Sequence, residues 1–263
     1  MLNQLTLEEI IALKLELSSK AVNGKLYGFN LWTKIPKITK EGLLLFAVSA
    51  TTNIVEAQTL LGVSDLVAFK RILYKYKDVL IQKLESKGYK VFDGKWDLNI
   101  IGVRKKEGTP NKFDDRIYVI CKNDNNEWQE WSWPATTDPG TYWLKETMNK
   151  LGTAILKEGQ WRGCWKIGRH KGEKPALVQI KPVTVYRDND KDLQHDTDQG
   201  ESTGLYGINI HRAGKNSTNV DKWSAGCQVF ANDADFEEFM VLCHKQNNAG
   251  FGDVFTYTLL KEE

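Results

Sequence analysis

Hydrophobic and polar positions change their rhythm near Trp96. Upstream, Phe69, Ile72, Leu73, Tyr76, Leu80 and Leu84 recur at three- and four-residue steps, the spacing of one helix face. This predicts a helix from near Ser64 that Gly88 can end. Thr6 and Glu9 have capping-box spacing before Ile10 and Ile11, although Leu13, Leu15 and Leu17 alternate as strand residues do. The apolar stretch from Gly42 to Leu61 suits a buried helix or two. Together these segments predict a small helical domain over residues 1–92.

Downstream the pattern becomes short β-branched and aromatic runs separated by Gly, Asn and Asp. Asp97–Val103, Arg116–Cys121, Trp128–Trp133, Ala176–Tyr186, Leu205–Ile210 and Val254–Leu260 read as strands. One helix interrupts them. Asn232 can cap it, and Phe236, Phe239, Met240 and Cys243 then share a face. The expected architecture is mainly β over residues 93–263.

Composition narrows the function classes. Thirty-six basic residues against thirty-four acidic ones leave no strong positive field, so nucleic-acid binding is not expected. Nine Trp and nine Tyr suit sheet packing first and a sugar- or peptide-lined groove second. The N-terminal segment lacks a basic start and carries acids within its apolar stretch, so no signal peptide is read there. Leu43–Val48 is too short to span a bilayer, and no transmembrane segment is expected. The chain is expected to be made in the cytoplasm.

Cys121, Cys164, Cys227 and Cys243 form no CxxC pair, and the four histidines form no HExxH. No metal or cofactor is therefore expected. The stretch that carries chemistry runs Gly207-Ile-Asn-Ile-His211-Arg-Ala-Gly, through a polar loop, to Trp223-Ser-Ala-Gly-Cys227-Gln-Val-Phe. A strand would deliver His211, and the loop from Ala213 to Lys222 is long enough to return Cys227 beside it. A thiol near its ordinary pKa is only a few per cent thiolate at neutral pH and needs a base, which a histidine supplies. The small Ser224-Ala225-Gly226 turn would let a carbonyl approach and leave backbone N–H groups to hold an oxyanion.

The spacing of His211, Ser224, Gly226 and Cys227 resembles the signature of the L,D-transpeptidase catalytic domain (YkuD type). Thr136-Thr-Asp-Pro-Gly-Thr141 is similar to a second segment of that family, which precedes a strand near the site. The resemblance implies a β-sandwich catalytic domain, Cys227 as nucleophile and His211 as general base. It also implies peptidoglycan stem peptides as substrate. Two positions depart from it: Ala225 stands where the family usually has a second His, and Val229 where it often has Arg. Arg212 and Trp223 are the nearest candidates for substrate contact. Papain-like and NlpC-type peptidases place Cys before His, the reverse of the order here.

The other candidates read as structural. Cys121, Cys164 and Cys243 suit packing, and Trp128, Trp131 and Trp133 suit core or sheet surface. Asp188, Asp190, Asp192, Asp196 and Asp198 form an acidic loop without EF-hand spacing, read as solvated. The leaderless N-terminal region together with the family resemblance suggests a phage wall-degrading enzyme or virion component. That region would then bind wall polymer, a partner or a virion. The other reading is an inactive virion structural or wall-binding protein retaining the fold, favoured by Ala225 and Val229.

Overall fold

The computed structural model describes residues 79–262 and two dipeptide strands, β1 (Ala21–Val22) and β2 (Lys25–Leu26), which pair antiparallel. The capping box at Thr6, the segment Gly42–Leu61 and the predicted helix start near Ser64 lie outside the described residues. By backbone contacts the chain divides into two compact units, Met1–Lys90 and Val91–Glu262. In the first, residues 79–86 are helical, and Leu80 and Leu84, four apart on one face, are both buried. Gly88 ends this helix with φ +69°; its N–H donates to the Glu85 carbonyl while that of Tyr89 reaches Leu84. That pairing closes the orphan carbonyls of the last turn, and the left-handed φ it requires suits glycine.

The second unit is mainly β. Its strands are β3 (Asn99–Arg104), β4 (Asp115–Lys122), β5 (Trp128–Thr136), β6 (Thr153–Leu156), β7 (Gly159–His170) and β8 (Lys174–Gln179). They continue as β9 (Val183–Asp188), β10 (Glu201–Gly204), β11 (Ile210–Arg212), β12 (Gln228–Phe230) and β13 (Val254–Lys261). Two α-helices punctuate them, α1 (Thr141–Lys145) and α2 (Asp233–Gln246), the second running into a π-helical turn over Asn247–Phe251. The resemblance implies a sandwich, but the large sheet closes into a ring in the order β11-β12-β5-β4-β3-β13-β7-β8. The closing contact is the bridge between Ile210 and Leu177, which leaves the ring without a free edge. The strands β10-β9-β6 form a separate three-stranded sheet.

Alternation places Ile117, Val119 and Cys121 of β4 on one face, where they join Phe236, Phe239 and Met240 of α2 in a single core. The Asn232 side chain caps α2 by accepting from the Ala234 N–H at 2.8 Å, as the sequence suggests. Cys121, Cys164 and Cys243 are buried in this core. Two predicted strands come out differently. Ala176–Tyr186 is two strands, broken at Ile180-Lys181-Pro182, where proline offers no N–H to a ladder. Leu205–Ile210 is mostly loop, because the Gln179 side-chain oxygen takes the N–H groups of Tyr206 and Ile208. Among the described residues no helix is long and apolar enough to cross a membrane.

A buried ionic cluster underpins the site. The Arg104 guanidinium lies 2.9 Å from Asp138 and 2.7 Å from Glu158, and it donates to the carbonyls of Thr137 and Leu156. Asp115 accepts from the Thr137 N–H and hydroxyl and from the Lys105 N–H. Burial, with the like charge of Asp138 added, pushes the Asp115 carboxyl up to about 7. This cluster fixes the Thr136–Gly140 segment. Gly140 in turn donates its N–H to the Ser224 carbonyl at 2.9 Å, one turn from Cys227.

Candidate active site

His211 and Cys227 are brought together by two short parallel strands. β11 carries His211 and pairs with β12, which begins one residue after Cys227. A parallel pair cannot be joined by a tight turn, and the loop from Ala213 supplies the necessary crossover. Donor atoms of His211, Cys227 and a third residue, His170, all lie within 4.8 Å of one another. His170 ends β7, at the tip of its hairpin with β8, and its ring stacks on that of His211 with centroids 4.2 Å apart.

Hydrogen bonding assigns a different tautomer to each imidazole. His211 Nδ1 faces the Arg212 carbonyl at 2.9 Å and must carry a proton there. Its Nε2 is therefore a lone pair when the ring is neutral; it is buried and has no hydrogen-bond partner among the described residues. His170 Nδ1 faces the Asn209 side-chain nitrogen at 3.0 Å, and the Asn209 oxygen accepts from the Gln179 N–H. His170 Nδ1 is thus an acceptor, so in the neutral ring Nε2 carries the proton. One histidine presents a base, the other a donor.

Asn209 is the hub that sequence reading missed. Besides holding His170, its N–H points at the Cys227 sulfur at 3.5 Å and its carbonyl accepts from the Gln228 N–H. The Cys227 thiol itself faces the Gly207 carbonyl at 3.5 Å. Gln228 is fixed from behind by the Tyr257 hydroxyl at 2.9 Å. A Cβ on Gly102 would stand 1.8 Å from that hydroxyl, so only glycine leaves Tyr257 room.

The Ser-Ala-Gly turn differs in part from expectation. The Ser224 hydroxyl donates to the Cys227 carbonyl at 2.7 Å and accepts from the Gly226 N–H at 3.1 Å. The Gly226 N–H is therefore committed within the turn rather than offered to an oxyanion, and Ser224 bonds the turn rather than the histidine. Gly226 has φ +120°, and a Cβ there would stand 2.5 Å from the Ala154 carbonyl oxygen. Gly226→Ala is expected to cost more than about 2 kcal/mol in urea unfolding. A variant of unchanged stability would show that the turn relaxes freely.

Val229 is fully buried in a small cluster with Ala213 and Cys227, against the partly buried Phe113, so the position where the resembled family often has Arg faces the interior here. Positive charge comes from elsewhere. The three donors open onto a cleft of about 720 Å³ lined by Lys171, Lys174, Arg187, Arg212 and Lys222, with Glu173 the one acid of its lining. Trp223, with Lys174 over its ring, and Ala225 also line it. Arg212 lies 3.7 Å from Asp233. Of the four cysteines, Cys227 alone lines this cleft. Arg187 and His170 carry no signal in the local sequence, because both arrive from strands distant along the chain.

Electrostatics set a neutral resting pair. Burial pushes the Cys227 thiol up to about 11, partly offset by the Asn209 N–H and the charge of Lys171. Burial likewise lowers His211 to about 4; its bond to the Arg212 carbonyl opposes this, and His170 and the nearby lysines reinforce it. Thiol plus imidazole, not thiolate plus imidazolium, is then the state at neutral pH. Iodoacetamide labelling of Cys227 should rise continuously between about pH 7 and about pH 10, without an acidic plateau. A plateau reached by about pH 5 would reveal a preformed ion pair instead.

Among the described residues two donor groups are close enough to hold an ion: the His170–His211–Cys227 trio, whose donors suit a transition metal, and Asp188 with Asp190 and Asp196. No family model, no curated protein and no solved structure matches this chain.

Proposed function

We propose that this chain is a cysteine-dependent acyltransferase or peptidase acting on peptidoglycan stem peptides, with an L,D-transpeptidase-like catalytic domain over residues 93–263. The observation that carries the reading is the His211 Nε2 lone pair, buried, without a hydrogen-bond partner among the described residues, and close to the Cys227 sulfur at a cleft. Cys227 Sγ attacks the carbonyl carbon of a diaminopimelate-like residue as its proton passes to His211 Nε2. The oxyanion takes the Cys227 N–H, with the protonated Nε2 of His170 as second donor. Collapse breaks the C–N bond, and His211 returns its proton to the leaving amine. The thioester is then resolved by an amine, giving transpeptidation, or by water, giving carboxypeptidase or endopeptidase cleavage.

His170 supports this reading despite Ala225, since it supplies an imidazole to the same space from another strand. The five cations of the cleft support an acidic substrate, as stem peptides are rich in carboxylates. In this reading the first unit delivers the enzyme to the wall, as part of a phage lysin or a virion. The second reading, an inactive virion or wall-binding protein, draws on the neutral resting pair.

The test is incubation of the purified chain with tetrapeptide muropeptides and cross-linked dimers, with and without a D-amino acid acceptor, read by mass spectrometry. Cleaved or exchanged peptide supports the enzyme and separates hydrolysis from transfer. Unchanged substrate in every arm contradicts it.

A further inference from the structure

The loop between β9 and β10, residues 189–200, is exposed apart from the half-buried His195 and Asp196, as the solvated reading expects, but it begins at the buried Asp188 of β9. Carboxylate oxygens of Asp188, Asp190 and Asp196 lie within 4.8 Å of one another. Asp188 is 1% exposed; its Oδ2 accepts from the Asp196 N–H at 3.1 Å, while its buried Oδ1 has no hydrogen-bond partner among the described residues. No lysine or arginine of the described residues forms a salt bridge with any of the three. The neutral Gln199 amide donates to Asp190 at 2.7 Å and to Asp196 at 3.3 Å. Converging carboxylates with an unused buried oxygen are costly unless a cation joins them.

We propose that this loop is a calcium site held by Asp188, Asp190 and Asp196. The donors are all hard oxygens, which suit calcium better than zinc, and an irregular surface loop tolerates its long, flexible coordination better than the strict octahedron of magnesium. Although the full EF-hand signature is absent, Asp188, Asp190, Asp192 and Asp196 fall at the first, third, fifth and ninth positions of such a loop. What removes the full signature is Leu193 at the sixth position and Gln199 at the twelfth. Leu193 nevertheless holds φ +76°, the left-handed conformation that glycine supplies there. The missing terminal glutamate makes the site a weak one. Bound calcium would tie the loop beside Arg187, which lines the cleft and bonds the Gly152 carbonyl and the Ser202 hydroxyl. The proposal is independent of any role for Cys227.

Calorimetric titration of the EGTA-stripped full chain with calcium chloride tests it. One site with Kd of about 10⁻⁵–10⁻³ M is expected, with Tm raised by about 5–10 °C at hundredfold excess over Kd. The Asp190→Asn/Asp196→Asn double variant changes residues exposed or half-exposed, and should fold, keep its metal-free Tm and lose at least about tenfold in affinity. No heat and no Tm change up to about 20 mM calcium would overturn the proposal, as would a double variant that responds like the wild type.

Discussion

If the proposed chemistry operates, replacing Cys227 by alanine takes stem-peptide turnover to the uncatalysed background, and replacing His211 by alanine lowers kcat/KM by about 10²–10⁴-fold at neutral pH. The first removes the attacking atom. The second leaves a thiol whose burial holds it up at about 11, so only a minute fraction ionises without help. A pH signature separates the base from a merely structural histidine. In the His211→Ala variant the residual kcat/KM should climb with pH into the alkaline range, because solvent hydroxide then does what the Nε2 lone pair did. The wild type should gain far less over the same interval. KM should move little, since the cationic cleft proposed to meet the substrate is unaltered. A His211→Ala enzyme with the pH profile and rate of the wild type would remove His211 from the chemistry.

The second large effect concerns stability. Replacing Arg104 by methionine is expected to cost about 3–5 kcal/mol in urea unfolding at neutral pH, because it strands buried carboxylates that the guanidinium now serves. The sign of the pH dependence follows. Without Arg104, Glu158 and Asp115 lose the cation that holds their pKa values down, and burial keeps both above those of the unfolded chain. Stability of the variant is then greatest in acid and falls as pH rises through the raised values. The destabilisation relative to wild type should therefore shrink as pH is lowered. Adding Glu158→Gln to Arg104→Met should recover part of the loss. A penalty under about 0.5 kcal/mol at neutral pH would show that water or rearrangement compensates the cluster. Any activity at Cys227 is expected to fall with stability, since Thr137 and Asp138 lead directly to the Gly140 contact on the Ser224–Cys227 turn.

What was legible in the sequence was local. β3, β4, β5 and β13 follow from alternating β-branched residues, and α2 from its Asn232 cap and the Phe236, Phe239, Met240, Cys243 face. His211 and Cys227 could be paired from spacing, because one loop joins their strands. The rest depends on contacts that no local pattern encodes. Gln179 steals the N–H groups that would have made Leu205–Ile210 a strand. His170 reaches the site only because the β7–β8 hairpin pairs with β11 where the ring closes. Asn209 looked like one polar residue in an apolar run, yet it orients both His170 and Cys227. The Ser224 hydroxyl takes the very Gly226 N–H that the motif suggested for the oxyanion. Asp188 gives no hint of burial until its strand pairs with Thr153 of β6.

The most direct measurement of the central claim is intact-protein and peptide mass spectrometry after brief exposure to a carbapenem, a ring-opening acyl donor for nucleophilic thiols, with a chelator present. A buried lone pair poised beside one cleft-facing sulfur predicts a single acyl adduct, mapped to the peptide containing Cys227 and absent from His211→Ala on the same timescale. Equal slow labelling of all four thiols, or an adduct that forms just as fast without the imidazole, would contradict it.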